Sequence, residues 1–408
     1  MDRAWYESRY GGIFTHFGML RPRPSDPDVA MCAGTLAPRL ARPEPAPIGG
    51  AGWHVAAARG ACIGEALERY QAYPQPTDRT ITSSFADWPS NEPAIEPERW
   101  ALFHAEQYED PGFPCAPFER STACRWVCFR EVPSGEPVWV PEDLAYLFPR
   151  PGAPHRIAPM TSTGLSCGRA GDPVLLRGLQ EVIERDAIVG AWWERYGLEE
   201  HEPERAFRLC GEAIAHQAQR PNIVYRFYRV QTPFSAHVVI VTALSHDGSG
   251  LSFSTGAACR GSRAEAWQKA LLECIQGRHY VRYLREQGLG TSSEPVDFAQ
   301  HALYYTVYPD ALARTPFARA RPAPAHEETR IETLAELLER LGPKHPVLAR
   351  SMTPPAVATA GDGWYVLKVL CVGLQPLHGN HGLAHLGSPL WAPRGLSDWR
   401  QTLPHPFA

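Results

Sequence analysis

The sequence predicts one large domain of the mixed α/β (α+β) class, with β-sheets packed against helices. Three observations predict it. The 408 residues are enough to bury a large core, and 44% hydrophobic with 21% charged residues is ordinary for a globular protein. Strand patterns and helix patterns alternate along the chain, as they do in mixed α/β domains. The 40 prolines and 34 glycines indicate many fixed turns between these elements.

The chain divides into a main body and two short flanking segments. Residues 1–48 are rich in Pro, Arg and Gly and contain one strand-like run, at 29–36. They are therefore predicted to wrap around the domain rather than to form a domain of their own. The main body spans 49–403. Residues 404–408, which read Pro-His-Pro-Phe-Ala, form a proline-rich C-terminal tail.

Helices and strands are predicted from the spacing of apolar residues. Asp172 and Pro173 are typical of an N-cap and a first helical turn, and Ser262 with Glu265 fits a capping box. Long helices are predicted at 53–73, 173–196 and 263–285. Strands are predicted at 124–129, 137–140, 223–228, 237–241, near 347 and at 364–372, with a connection at 314–330 and a short helix at 333–342.

Charge and hydropathy exclude two classes of partner. The 40 Lys+Arg against 44 Asp+Glu leave a net charge of −4, so the chain lacks the cationic excess that binds polynucleotides, and no nucleic-acid partner is expected. No apolar run of about 18 residues predicts a membrane helix. The N-terminal residues lack the pattern of a signal peptide, so a cytoplasmic protein is predicted.

The cysteines and a group of histidines are interpreted as structural. The ten cysteines are scattered, so they are predicted to be reduced and mostly buried. Cys115, Cys124 and Cys128 form the closest group, but no second pair at zinc-like spacing accompanies them, and buried cysteine is the preferred interpretation. The stretch LHGNHGLAHLG at 377–387 contains three histidines, and its glycines favour a loop over a helical array of metal ligands.

A short charged pattern occurs three times on the predicted helices. The first and second helices contain E-x-x-E-R and the third contains E-x-x-Q-x-R, each among apolar or small residues. Side chains at positions i and i+3 share one helix face, with Cβ atoms about 5–6 Å apart. The residues are Glu65, Glu68 and Arg69; Glu181, Glu184 and Arg185; and Glu273, Gln276 and Arg278.

Five glutamates on packed helices need cations if they converge, because a buried carboxylate without a partner is costly. A set of carboxylates suits Mg²⁺, which is usually held by one or two carboxylates and by substrate phosphates, while the helix arginines could bind phosphate oxygens. The pattern therefore predicts an ATP–Mg²⁺ site. One such motif alone is usually a solvated helix face with local ion pairs, but the threefold occurrence favours the site.

These motifs resemble those of the YcaO family. The family's motifs are approximately S-x-x-x-E-x-x-E-R, S-x-x-E-x-x-E-R and Q-x-x-x-E-x-x-Q, and here they read ACIGEALER, GLQEVIER and KALLECIQ. Neither a Walker loop nor the kinase motifs occur, which agrees with a nucleotide site of another kind. The resemblance extends over about 49–408 and includes STGLSCG at 162–168 and the ending LPHPFA.

The resemblance implies a single YcaO-like domain, 1–408, whose ATP-binding catalytic core is 49–403. The loop at Ser162 either approaches the nucleotide or forms a plain turn. Mg²⁺ is assigned to Glu68, Glu181, Glu184 and Glu273, and ATP binding to these residues together with Glu65, Arg69, Ser162, Arg185, Gln276 and Arg278. The sequence departs from the family pattern at Ala51, Ala61, Gly178 and Lys269.

The end of the chain resembles the azoline-forming cyclodehydratase branch, the D-proteins of thiazole/oxazole-modified peptide biosynthesis. Members of this branch end in P-x-P-x-P, and the tail here reads Pro404, His405, Pro406, Phe407 and Ala408, with Ala408 in place of the last proline. Alternating prolines stiffen an extended segment, so the tail could bring His405 or a terminal carboxylate to the substrate for proton transfer; otherwise it is a frayed end. The stretches QHALYYTVYPDALARTPFA at 300–318 and GLQPLHG at 373–379 resemble the same branch.

This branch implies ATP- and Mg²⁺-dependent activation of peptide backbone amides, which closes thiazoline or oxazoline rings from Cys, Ser or Thr residues. The substrate is expected to be a ribosomally made precursor peptide, as in bacteriocin maturation. A separate E1-like partner is expected to bind the leader of that peptide. A flavin-dependent dehydrogenase could act in the same complex, and the chain could form a homodimer.

Two other interpretations stay open. The same ATP site could serve thioamide or amidine formation with a sulfur-delivery or other partner. Alternatively, the substitutions at Ala51, Ala61, Lys269 and Ala408 are compatible with a catalytically idle scaffold that binds nucleotide. Ring closure lowers the peptide mass by about 18 Da, thioamide formation raises it by about 16 Da, and a scaffold turns over no ATP.

Overall fold

The part of the chain that the structure describes forms three β-sheets, each packed against helices, and the predicted mixed α/β class is confirmed. This computed structural model describes residues 12–38, 46–148, 150, 156–247, 250–324, 330–354, 363–388, 399 and 401–408. The strands within these ranges are β1 Phe14–Met19, β2 Ala30–Leu36, β3 Ala46–Gly52, β4 Thr80–Ser83, β5 Cys124–Glu131, β6 Pro137–Pro141, β7 Leu165–Arg169, β8 Leu198–His201, β9 Ile223–Val230, β10 Val238–Asp247, β11 Gly250–Cys259, β12 Arg321–Pro322, β13 Val347–Ser351 and β14 Trp364–Cys371. The helices are α1 Val55–Gln71, α2 Ala105–Tyr108, α3 Glu142–Ala145, α4 Val174–Trp192, α5 Pro203–Cys210, α6 Glu212–Ala218, α7 Arg263–Glu286, α8 Phe298–Val307 and α9 Leu334–Leu341.

The N-terminal sheet is antiparallel, with β2 between β1 and β3. Helix α1 packs directly on β3, because β3 carries glycines where a side chain would collide. A Cβ at Gly50 would lie 2.3 Å from the backbone nitrogen of Cys62, and a Cβ at Gly52 would lie 2.5 Å from that of Ala58. The segment 1–48 contributes β1, β2 and the first residues of β3 to this sheet, although its residues 1–11 and 39–45 lie outside the described ranges.

The middle sheet has the strand order β4-β5-β13-β14-β7, and β6 pairs with β5. Successive residues of a strand point to opposite faces, and β14 follows this rule. Val366 joins the core cluster that contains the apolar face of α1, whereas Val369 joins the cluster that contains α4. The middle sheet therefore lies between α1 and α4.

The third sheet has the strand order β11-β10-β9-β8-β12 and is antiparallel except for the short β8–β12 pair. Val239 and Val241 of β10 pack in the core cluster of α7, while Val238 and Ile240 pack in the cluster that contains α4 and α8. Helix α4 therefore lies between the middle and third sheets, which explains why it is apolar on most sides.

The predicted helices form, but α4 has different ends. It begins at Val174 and ends at Trp192, inside the predicted range 173–196. The predicted N-cap role of Asp172 is wrong, because its carboxylate accepts a hydrogen bond from the backbone N–H of Arg169 at 2.8 Å and closes the turn after β7. The predicted N-cap of α7 is confirmed, since the Ser262 hydroxyl accepts from the N–H of Glu265 at 3.3 Å.

Other sequence-based expectations are met in part. The connection predicted at 314–330 contains 3₁₀ turns and β12, and its residues 325–329 lie outside the described ranges. Several elements form where the sequence pattern predicts none, among them β11 and α8. All ten cysteines are free thiols, and most are buried, as predicted. No helix in the described part of the chain is long and apolar enough to cross a membrane.

Candidate functional site

Helices α1, α4 and α7 bring the predicted glutamates together. Glu68 of α1 lies close enough to Glu181 of α4 for the two charges to repel, and Glu181 and Glu184 interact in the same way with Glu273 of α7. These glutamates sit at the i and i+3 positions of their helices, which places each pair on the face turned toward the other helices. The threefold motif therefore forms one acidic site.

The α1 side of the site is fixed by β3. The Glu65 carboxylate accepts a hydrogen bond from the backbone N–H of Gly49 at 2.9 Å and lies 3.6 Å from the Arg69 guanidinium. A Cβ at Gly49 would lie 3.2 Å from the side-chain amide nitrogen of Gln276 on α7. The absence of a side chain at Gly49 thus allows α1, β3 and α7 to meet at this point.

The α4 side carries two carboxylates that share one arginine. The Arg185 Nε lies 3.9 Å from a Glu181 oxygen and 3.6 Å from a Glu184 oxygen. The other Glu184 oxygen accepts a hydrogen bond from the backbone N–H of Cys259 at 3.1 Å. Glu184 is thereby tied to the end of β11 and is the most buried of these glutamates, at 5% exposure.

The α7 side is brought close by a second glycine contact. A Cβ at Gly256 of β11 would lie 2.2 Å from the carbonyl oxygen of Ala270, so α7 rests directly on the strand. This contact sets the position of Glu273, one turn further along the helix. Lys269, one of the departures from the family pattern, lies 2.9 Å from the Glu273 carboxylate and adds a cation to the site.

Burial and mutual repulsion shift the pKa values of these carboxylates. Burial, reinforced by the charge of Glu181, raises the pKa of Glu68 to about 8. Burial also raises the pKa values of Glu181 and Glu184. Burial opposes ionisation of Glu273 as well, but Lys269 and then Arg185 hold its pKa below the ordinary value. Burial therefore opposes ionisation of these four carboxylates, and the nearby cations outweigh it only at Glu273.

The residues fit Mg²⁺ held together with a nucleotide. Within the described ranges, no three His, Cys, Asp or Glu side chains converge on a single metal position. Mg²⁺ does not require such a cage, since one or two carboxylates and phosphate oxygens usually hold it. Arg69 and Arg185 supply guanidinium groups that suit phosphate oxygens. Carboxylates with raised pKa values are groups that a metal ion would ionise on binding.

Binding of Mg²⁺ with a nucleotide should release protons near neutral pH, and its affinity should rise with pH. Glu68, whose pKa burial raises to about 8, is mostly protonated at pH 7 and would have to ionise if it held the metal ion. The affinity should therefore increase by up to about tenfold from pH 7 to pH 8 for each proton displaced. Calorimetric titration in two buffers of different ionisation enthalpy measures the protons released. No release at pH 7 would contradict an ionised Glu68 in the complex.

Lys368 belongs to this site and was not identified from the sequence. It is fully buried on β14, and its ammonium group donates to the carbonyl oxygens of Thr161 at 2.9 Å and Thr163 at 2.7 Å. Burial lowers the pKa of Lys368 to about 7, against the charge of Glu181 nearby. A lone lysine inside the apolar strand WYVLKVLC is the sequence feature that could have indicated it.

The Ser162 loop is held beside the acidic site by Lys368. The carbonyl oxygen of Ser162 accepts a hydrogen bond from the N–H of Leu165 at 2.8 Å, which forms a turn before β7. The backbone at Ser162 therefore forms a turn, which is one of the two predicted possibilities. Lys368 binds the residues on both sides of Ser162, so the turn also borders the carboxylates of α4.

Arg278 lies apart from the other residues that are predicted to bind the nucleotide. Its guanidinium is 2% exposed and donates to the Asp26 carboxylate at 2.5 Å and to the Ser245 hydroxyl at 3.2 Å. Arg282 donates to the same carboxylate. Position 278 lies five residues after Glu273, which turns its side chain to another face of α7. Arg278 therefore holds the segment before β2 against α7.

The C-terminal tail is buried except for Ala408. His405 is 1% exposed, its Nε2 donates to the carbonyl oxygen of His378 at 2.8 Å, and its Nδ1 accepts from the N–H of Phe407 at 3.3 Å. Both ring nitrogens are occupied, and burial holds the pKa of His405 well below its ordinary value. In this arrangement neither ring nitrogen of His405 is free to exchange a proton with a substrate, and the proton-transfer role stays a prediction.

The structure also places the remaining predicted residues. Pro404 and Pro406 are buried within the tail, and the three histidines of 377–387 lie in the predicted loop, which includes a 3₁₀ turn at His381–Leu383. These histidines are buried beside the tail rather than beside the glutamates. Apart from Arg278, the predicted residues thus form two groups, the acidic site and the tail with its surroundings.

The family model described as YcaO cyclodehydratase, ATP- and Mg²⁺-binding, matches residues 49–375 of the chain. This range contains all the glutamates of the acidic site and ends before the tail. No curated protein matches the chain significantly.

Solved structures share this fold at low sequence identity. A heterocyclase in complex with substrate and cofactor matches with a TM-score of 0.73 at 18% identity, over 98% of this chain and 56% of the heterocyclase. The chain thus spans little more than half of that protein's length. YcaO from Methanopyrus kandleri bound with AMPPCP and Mg²⁺ matches with a TM-score of 0.57 at 18% identity, over 89% of this chain and 86% of its own. The E. coli microcin synthetase McbBCD complex with pro-MccB17 bound matches with a TM-score of 0.64 at 15% identity, over 99% of both chains.

Proposed function

Since this chain belongs to the YcaO family, we propose that it is an ATP- and Mg²⁺-dependent cyclodehydratase that forms azoline rings in a ribosomally made peptide. One observation carries the proposal. The E-x-x-E pairs of α1 and α4 converge with Glu273 of α7, in a family described as binding ATP and Mg²⁺. The convergence supplies the negative charge that Mg²⁺ would neutralise.

Each charged side chain then has a role in holding the nucleotide. Mg²⁺ would be held by carboxylates from the set Glu68, Glu181, Glu184 and Glu273. Arg69 and Arg185, which lie beside Glu65 and Glu181, would bind phosphate oxygens, and Lys269 adds a further cation beside Glu273. When bound, ATP with Mg²⁺ supplies the phosphoryl group that makes the amide oxygen a leaving group.

The proposed reaction balances without a covalent enzyme intermediate. The thiol or hydroxyl of a Cys, Ser or Thr residue loses its proton and bonds to the carbonyl carbon of the preceding residue, and the carbonyl oxygen takes the γ-phosphoryl group of ATP. The amide oxygen leaves as inorganic phosphate, and the amide nitrogen loses its proton and becomes doubly bonded to that carbon. The other product is ADP. The peptide loses one oxygen and two hydrogens, so its mass falls by about 18 Da per ring.

The proposal includes the proteins that would work with this chain. We infer a precursor peptide as substrate and a separate E1-like protein that binds its leader. A flavin-dependent dehydrogenase could then oxidise the rings in the same complex, and the chain could act as a homodimer. The match to the McbBCD complex over 99% of both chains supports a multi-protein assembly of this kind.

Intact mass and ATP consumption, measured together, test the proposed function. The purified chain is incubated with Mg²⁺, ATP, a candidate precursor peptide and a candidate leader-binding partner. We expect a loss of about 18 Da per ring, located by tandem fragmentation at Cys, Ser or Thr, with one ATP consumed per ring. A gain of about 16 Da would indicate thioamide formation, and a loss of water located elsewhere would indicate amidine formation. A stable complex with no ATP turnover would indicate a scaffold.

A further inference from the structure

Side chains of the surrounding helices and strand hold the tail and the residue before it by donating hydrogen bonds to their backbone carbonyl oxygens. Four consecutive carbonyl oxygens, from Leu403 to Pro406, each accept a hydrogen bond from a different side chain. The bonds are Trp192 Nε1 to Leu403 at 2.5 Å, Tyr305 hydroxyl to Pro404 at 2.8 Å, His301 Nδ1 to His405 at 2.7 Å and Thr255 hydroxyl to Pro406 at 3.0 Å.

This arrangement follows from the prolines. A proline has no N–H group, so a segment with alternating prolines cannot join a β-sheet through a regular ladder. Its carbonyl groups still need donors when the segment is buried, because an unpaired buried carbonyl is costly. Helices α4 and α8 and strand β11 supply these donors from side chains. His301 and Tyr305 are fully buried at the contact.

Ring packing adds to these hydrogen bonds. The imidazoles of His301 and His405 stack with their centroids 3.9 Å apart and their planes 11° apart. Phe407 is 3% exposed and packs edge-on against Trp192, with centroids 6.4 Å apart. The tail is therefore an internal part of the fold and not a frayed end.

Two sequence stretches without an assigned role meet at the tail. His301 and Tyr305 belong to the stretch 300–318, and His378, whose carbonyl oxygen accepts from His405, belongs to the stretch 373–379. Phe317, also in 300–318, packs against Trp192 with centroids 5.6 Å apart. Both stretches thus form the walls that enclose the tail.

The same contacts connect the tail to the acidic site. Trp192 is the last residue of α4, the helix that carries Glu181 and Glu184. Thr255 lies on β11, four residues before Cys259, whose N–H donates to the Glu184 carboxylate at 3.1 Å. The two elements that hold Glu184 therefore also hold the tail.

We propose that Tyr305, His301 and Thr255 are positioning residues that hold the tail by its carbonyl groups and so fix it against α4 and β11, the two elements that also hold Glu184. The proposal rests on the proposed function for its effect on ring formation. Loosening the tail should slow ring formation and leave the binding of Mg²⁺–nucleotide unchanged, because none of the three contacts a glutamate of the site.

Tyr305→Phe tests the proposal with a minimal change. It removes one hydroxyl and leaves the ring in place, so the Pro404 carbonyl loses its donor. We expect hydrogen exchange at the amides of His405 and Phe407 to become about tenfold faster, with ring formation slowed by a similar factor and the KM for ATP unchanged. Thr255→Val, which removes the donor to Pro406, should act in the same direction. Exchange is measured by mass spectrometry on the full chain, with and without Mg²⁺–nucleotide.

Tyr304→Phe is the matched control. It makes the same substitution at the preceding position of α8, whose side chain binds none of the tail carbonyls. It should leave hydrogen exchange in the tail and the rate of ring formation unchanged. Wild-type exchange rates in both Tyr305→Phe and Thr255→Val would overturn the proposal. Faster exchange with an unaltered rate of ring formation would overturn the link to catalysis. The exchange measurement needs no substrate, so it tests the tail contacts even where the wild-type chain forms no ring.

Discussion

Glu184→Gln should reduce ATP turnover by about 100- to 1,000-fold. Glu184 is the most buried glutamate of the acidic site, and its charge would repel that of Glu273 on helix α7. The amide removes the negative charge that would hold Mg²⁺, and it cannot be ionised at any pH. Its oxygen can still accept the hydrogen bond from the Cys259 N–H, so the local backbone should be retained.

The stability of the metal-free variant separates loss of charge from misfolding. Burial raises the pKa of Glu184, so ionisation of this side chain opposes folding around neutral pH. The Gln side chain resembles the protonated form, and Glu184→Gln should unfold at the same or a higher temperature than the wild type without metal. Its stabilisation by Mg²⁺ and ATP should be largely lost. Differential scanning calorimetry with and without ligand measures both effects.

Glu194→Gln provides the control for this experiment. Glu194 follows the end of α4, is exposed and pairs with Arg319 at the surface. The substitution makes the same chemical change outside the acidic site, and turnover should stay within about twofold of the wild type, as expected for a surface pair. Turnover near the wild-type rate in a folded Glu184→Gln variant would defeat the assignment of Glu184 to the metal.

The acidic site could be predicted because it depends on the spacing of residues within single helices. Glutamates three residues apart on a helix share a face whatever the tertiary structure, and their apolar neighbours show that the face is packed. Three such faces in one chain predict a common site. The helix pattern also predicts Arg278 on that site, but one turn and a half of helix separates it from Glu273. Its true partner, Asp26, lies on a distant segment that no local pattern connects to α7.

The contacts of Lys368 and of the tail depend on tertiary structure. Lys368 binds backbone carbonyl groups about 200 positions earlier in the chain. Every residue has such a group, so no residue type in the sequence indicates the contact. The tail is bound through its carbonyls by Thr255, His301 and Tyr305, which are ordinary residues in ordinary strand and helix patterns. The prolines predict an extended segment, yet only the fold shows that the segment is enclosed and that His405 has no free ring nitrogen.

Deletion of residues 404–408 should abolish ring formation and leave a folded chain that binds Mg²⁺–nucleotide. The tail contacts α4, α8 and β11 but none of the glutamates, so the carboxylates and arginines of the acidic site keep their partners. The deletion also removes the buried Phe407 ring, which alone should lower the free energy of unfolding by about 3–5 kcal/mol. It further leaves the buried donors of His301 and Tyr305 without their carbonyl partners, which adds to that loss. Nucleotide affinity, unfolding and ring formation are therefore measured on the same sample, at a temperature where the variant is folded.

Phe407→Ala separates the function of the tail from its contribution to stability. This variant loses most of the same buried ring, at a similar cost of about 3–5 kcal/mol, but keeps the backbone carbonyls that Thr255, His301 and Tyr305 bind. If the tail acts in ring formation, the deletion should form at least about tenfold less product than Phe407→Ala while both remain folded and bind nucleotide equally. Equal product from the two variants would mean that the tail only stabilises the fold. A wild-type yield of product from the deletion variant would show that the tail has no role in ring formation. The residues that enclose the tail would then have a structural role only.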